Sequence, residues 1–136
     1  MKILRLMLLT ALVAALAGCE SAPIKGIKEG FSNLFQTAGN AGAQDLANGI
    51  KQYEDGKYAP ASRLLQSSLD KGLSGTSDQV RAHKYLAFIH CVSGREARCR
   101  EEFLAALEID PAFELAAAES GHPIWGPVFR SVKGGR

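Results

Sequence analysis

An all-α protein is predicted, a short solenoid of about two helical hairpins closed by a C-terminal capping helix. Three observations carry this. Apolar residues recur at the i, i+3/i+4, i+7 spacing of an amphipathic helix through most of the chain after residue 43. Alanine, leucine, glutamate, lysine and arginine are abundant and β-branched runs are few, which favours helix over strand. Glycines and one Asp-Pro pair then punctuate the periodic stretches, so each helix is short and followed by a turn.

Residues 1–18 read as a leader. Met1-Lys2-Ile3-Leu4-Arg5 is a short basic head, and Leu6 to Ala15 is an apolar run broken only by Thr10. Leu16-Ala17-Gly18-Cys19 follows, small residues leading into a cysteine. A basic head, an apolar core of roughly ten residues and a small-residue cleavage site define a secretory signal, too short to span a bilayer. The cysteine narrows this further, because Leu16–Cys19 resembles a bacterial lipobox. That resemblance implies cleavage before Cys19, diacylation of its thiol and acylation of the new amino terminus. The rival is an ordinary signal peptide with a chance cysteine. Several acyl chains at about 0.8 kcal/mol per buried methylene would anchor the chain firmly to a membrane. In enteric bacteria an aspartate after the lipidated cysteine retains lipoproteins in the inner membrane. Glu20 and Ser21 stand here, so the analogy favours a periplasm-facing position on the outer membrane.

Losing residues 1–18 removes Lys2 and Arg5 and no acid, leaving 14 basic and 14 acidic side chains. A neutral mature chain lacks the clustered basic footprint of a nucleic-acid binder. Its 118 residues suffice for one domain with a modest core.

Residues 19–43 are expected to form a lipidated tether, with the helical body over 44–133. Glycines at 26, 30, 39 and 42 weaken any helix there by about 1 kcal/mol each. Ile24, Ile27, Phe31, Leu34 and Phe35 nevertheless fall near helical spacing. They form either an amphipathic segment for a membrane or partner, or a marginal helix or linker against the domain.

The body begins with Leu46, Ile50 and Tyr53 at i, i+4, i+7, broken at Asp55-Gly56-Lys57. A second helix carries Ala61, Leu64, Leu65, Ser68 and Leu69 and ends near Lys71-Gly72. Thr76-Ser77-Asp78-Gln79 has the hydroxyl-x-x-Gln spacing of a capping box and opens a third helix. Ala82, Tyr85, Leu86, Phe88, Ile89 and Val92 give that helix a broad apolar face up to Ser93-Gly94. A fourth runs from about Glu96 to Ile109, where Asp110-Pro111 stops it.

Aligning Gly56 with Gly94 superposes the two hairpins. Val80 to Phe113 then resembles a tetratricopeptide repeat in its 34-residue length and layout. Leu86-Ala87, Gly94, Phe103, Ala106 and Asp110-Pro111 occupy family positions, whereas His90 replaces the usual tyrosine and Cys99 a small alanine. The first copy, about Gly42 to Leu73, fits at Gly49, Gly56, Tyr58, Ala61 and Leu65 but not at Asn48 and Ser68. Two repeats are fewer than a solenoid usually needs, so the terminal segment must supply a cover. Trp125, Val128, Phe129 and Val132 at i, i+3, i+4, i+7 suit a short capping helix ending near Lys133, with Pro127 in its first turn. The rival is an exposed docking knob built on Trp125 and Phe129.

Lipobox, tether, small repeat body and the Gly121-His122-Pro123-Ile124-Trp125-Gly126-Pro127-Val128-Phe129 stretch together resemble the lipoproteins associated with type VI secretion systems (the TssQ type). The resemblance implies a non-enzymatic accessory of an envelope assembly that binds protein partners.

Candidate chemistry is sparse. Cys91 and Cys99 lie on opposite arms of the second hairpin, and in an oxidising compartment a disulfide is expected. Against it, in a standard repeat Cys99 would pack near Ala87, one turn before Cys91, unless a long turn over Val92–Arg98 shifts the register; buried free thiols are the alternative. His83, His90, Cys91 and Cys99 lack the spacing of a zinc site, and His90 points about 100° away from Cys91 along a helix. No paired carboxylates, phosphate loop or nucleophile elbow is present, so neither an enzyme nor a cofactor is expected. Carrying over the repeat family's inner groove yields Leu46, Ile50, Tyr53 and Glu54 from the first hairpin and Arg81, Lys84 and Phe88 from the second. These suit a peptide or helix with acidic or carboxy-terminal groups, unless several of them face the tether or the next helix. Two further classes stay open: a peptidoglycan- or synthase-associated envelope lipoprotein, and a redox or metal sensor using Cys91/Cys99.

Overall fold

The computed structural model describes residues 41–135. The signal peptide, Cys19 and the tether up to residue 40 lie outside the described residues. All regular structure among those described is helical, arranged as successive hairpins in a short solenoid-like stack. Helix α1 is already formed at residue 41 and runs to 54. α2 is Tyr58–Asp70, α3 Thr76–Val92, α4 Glu96–Ile109, α5 the single turn Ala117–Ser120, and α6 Trp125–Gly134.

Each hairpin turns on a glycine. Gly56 and Gly94 hold φ of 73° and 72°, a left-handed conformation that only glycine adopts without a steric penalty. Inside α1, glycine serves close approach instead. A Cβ on Gly49 would lie 2.9 Å from Leu65 Cγ and 3.1 Å from the Leu65 backbone nitrogen. The missing side chain lets α1 and α2 touch backbone to side chain, which offsets the intrinsic helix penalty of glycine. Gly42 meets the Ser68 and Gly72 carbonyls in the same way. That close contact is why residues 41–43, assigned to the tether on their glycine content, are part of the helix.

Two buried clusters fill the body. One joins Leu46, Ile50, Ala61, Leu65, Leu73, Ala82, Leu86 and Ile89 across α1, α2 and α3. The other joins Phe88, Cys91, Cys99, Phe103, Leu107, Leu115, Trp125, Phe129 and Val132 across α3, α4 and α6. Tyr53 and Tyr85 pack against both. Helix α3 is the shared wall, and its apolar residues lie all round it because it has neighbours on both sides.

One local expectation is corrected. Thr76 is the first residue of α3, not its cap. The cap position falls on Gly75, with no side-chain hydrogen bond there. Gln79 turns back instead to donate from Nε2 to the Leu73 carbonyl at 2.7 Å, tying down the loop. The stretch between α4 and α6 contains α5. Its start is held by Glu119 Oε2 accepting from the Ala116 N–H at 3.0 Å.

Candidate functional site

The expected inner groove is largely core. Leu46, Ile50 and Phe88 are buried, Phe88 at 2% exposure, so three of its four apolar residues offer no surface. The correction has a physical reason. An inner-face position on α3 is covered once a third layer docks, and α6 with α5 supplies that layer. Trp125 stacks on Phe88 with ring centroids 4.4 Å apart. Lys84 is also occupied, donating to Glu119 Oε1 at 2.6 Å while lying over the Tyr85 ring. Arg81 is exposed and pairs with Asp78, and Glu54 is exposed. What remains of the groove is a shallow face: Tyr53 and Tyr85, half-buried, flanked by those charges. Burial pushes the Tyr53 phenol up to about 12 and raises Tyr85 as well, so both stay neutral hydroxyls at physiological pH.

Trp125 and Phe129 are buried, at 8% and 3% exposure, and therefore cap the stack rather than project from it. Phe129 meets Phe103 edge-on at 5.2 Å. The indole N–H of Trp125 donates to the Glu119 carbonyl at 2.9 Å, and His122 stacks on the outer face of the indole. An aromatic whose one polar atom is satisfied internally is a core residue.

Cys91 and Cys99 form a disulfide, with Cα atoms 5.1 Å apart. No long turn is needed to shift the register. Helix α3 ends at Val92, α4 starts at Glu96, and the tight turn between them places the last turn of one beside the first turn of the other. Both sulfurs belong to the C-terminal cluster. His90 beside them makes no metal site: no group of three or more potential ligands converges among the described residues. Its Nδ1 is buried without a hydrogen-bond partner. Burial, reinforced by the nearby Arg95 charge, lowers the His90 pKa and keeps the ring neutral. His83, by contrast, contacts Glu102 through Nδ1 at 2.7 Å, bridging α3 and α4.

A further feature was invisible to spacing arguments. A cavity of about 370 Å³ opens at the turn end of the hairpins, lined by Tyr58, Ala59, Ser62, Ile89, Ser93 and Arg95. It draws on the start of α2, the end of α3 and the following turn. Its residues thus come from chain segments some thirty positions apart, and no motif joins them. Arg95 forms no ion pair among the described residues.

No protein-family model matches this chain, and neither a curated protein nor a solved structure does.

Proposed function

We propose that this protein is a non-enzymatic lipoprotein of a bacterial envelope. On this reading it is held at the outer membrane through Cys19, and its helical body recognises protein partners of an envelope assembly. The single observation that carries this reading is the Leu16-Ala17-Gly18-Cys19 box behind a basic, apolar leader. The body is in keeping with it. A capped, disulfide-stapled stack of helices presents a fixed surface, and three of the four side chains weighed for chemistry are engaged structurally. Cys91 and Cys99 are joined, and His83 is engaged with Glu102. The disulfide disfavours the alternative of a sensor working through free thiols.

The assembly we favour is a type VI secretion system, on the resemblance of the whole arrangement and of the Gly121–Phe129 stretch. Labelling with a palmitate analogue and membrane fractionation test the anchor. Wild-type protein should incorporate label and enter the outer-membrane fraction, and Cys19→Ser should do neither. Contact-dependent killing by a strain lacking the protein tests the assembly. Killing should fall and be restored by wild type but not by Cys19→Ser. A labelled, correctly fractionated Cys19→Ser protein rejects the anchor, and undiminished killing rejects the secretion role.

A further inference from the structure

We infer that the cavity between the hairpin turns is a binding site for the C-terminal carboxylate of a partner polypeptide with a short apolar final residue. The inference rests on the protein-recognition reading above only in taking a polypeptide as the ligand.

The lining is divided by chemistry. Ile89 is 1% exposed and forms an apolar floor, with Ala59 at the rim. Tyr58, Ser62 and Ser93 bring three hydroxyls, each able to donate or accept. Arg95 brings one guanidinium, whose five N–H donors match a carboxylate in a two-bond fork. Among the described residues no acid pairs with it. The first turn of α2, which forms one wall, carries no acidic residue and no side-chain cap. Arg98 and Arg100, on the next helix, are by contrast already paired with Glu101 and Glu96.

One cation beside a small apolar floor and several hydroxyls selects one negative charge attached to a small apolar group and a hydrogen-bonding backbone. A chain end ending in a residue such as alanine has that composition, and terminal carboxylates are a recurring target of peptide recognition. The volume suits this, lying at the small end of ligand pockets and admitting a few heavy-atom groups rather than a folded surface. Position suits it too. Residue 41 lies at the opposite end of α1, and fourteen helical residues place the cavity roughly 20 Å along from it. The site therefore lies at the far end of α1 from residue 41.

The test titrates the full-length protein, purified in detergent, with acetyl-Ala-Ala-Ala as the free acid and as its C-terminal amide, followed by backbone NMR shifts. The free acid should move the amides of Ser62, Ser93 and Arg95 and saturate in the millimolar range or below. The amide should bind at least tenfold more weakly, since a charge-assisted hydrogen bond is lost. Arg95→Gln should reproduce that loss, with Arg95→Lys intermediate. Ala59→Leu, at an exposed rim position, should block the cavity by bulk alone, which covers the case of Arg95→Gln failing to fold. Equal binding of acid and amide, shifts confined to other residues, or no response overturns the proposal. A stronger response to an acetylated peptide ending in D-Ala-D-Ala overturns its assignment to a protein chain end in favour of the cell wall. Failure here with Cys19-dependent fractionation intact rejects the pocket and leaves the anchor reading standing.

Discussion

Single residues in this body do work that composition does not reveal. Gly49 would ordinarily weaken a helix, yet its bare Cα is where Leu65 seats. Cys99 stands where two helices approach, is fully buried, and is spent on a covalent link to Cys91. Closing so short a loop removes denatured-state freedom worth about 2–3 kcal/mol. Reduction, or Cys91→Ala with Cys99→Ala, should therefore lower the melting temperature by roughly 10–20 °C in a domain of this size. An unchanged melting curve in reductant would show that the bridge does not stabilise the fold. His90 supplies a pH dependence of definite sign. Its ring is disfavoured as a cation by burial first and by Arg95 second, so its folded pKa lies below the ordinary 6.5. The unfolded chain then binds more protons in the window just below 6.5. Its contribution is complete above that value and is lost as pH falls toward the folded pKa. Denaturant unfolding at pH 5.5, 6.5 and 7.5 should show wild-type stability rising with pH, and His90→Gln rising less. Equal slopes would mean that His90 titrates alike in both states.

At the scale of elements, the decisive piece is α6. Ten residues cover a face made by two longer helices, and they do so with two aromatics and Val132. Phe103 and Leu107 on α4 are fully buried, and Phe88 on α3 nearly so. α5 acts as the clamp: Glu119 holds Lys84 through its side chain and the Trp125 indole through its carbonyl. Lys133 closes the far end by donating to the Phe113 carbonyl and pairing with Glu114. Truncation after Gly121 removes α6 together with its bonds to the Glu119 and Phe113 carbonyls. Loss of one core aromatic costs about 3–5 kcal/mol, so two approach the whole stability of a small domain. The truncated chain should be largely unfolded or aggregated by circular dichroism, while intact protein shows blue-shifted Trp125 emission. A truncated chain that still melts cooperatively would demote α6 from cap to appendage.

Across the whole body, what was legible in the sequence followed local rules. Gly56 and Gly94 mark turns because their φ suits glycine, Asp110-Pro111 ends α4, and the 3.6-residue period names the helices. What was not legible depends on who sits beside whom. Thr76 has capping-box spacing but lies one position inside its helix. Phe88 reads as groove until Trp125 covers it, and the Arg95 cavity exists only once two turns meet. The same long-range contacts govern how the body should unfold. Its two buried clusters are not independent, because α3 contributes to both and the rings of Tyr53 and Tyr85, 5.1 Å apart, pack against both. Opening either cluster strips one side of α3 and exposes the Tyr53–Tyr85 pair. Neither half then keeps a two-sided core, as expected for a stack with too few repeats to lose one. Trp125 reports on the C-terminal cluster alone, whereas far-ultraviolet circular dichroism reports on every helix. In a urea titration under oxidising conditions the two signals should superimpose with one midpoint, the signature of a two-state transition. Tyr85→Ala should weaken the link between the clusters and separate the curves, with fluorescence and ellipticity losing their common midpoint. If wild-type protein already shows two midpoints, the clusters are separate folding units and the tyrosine pair is only a surface contact.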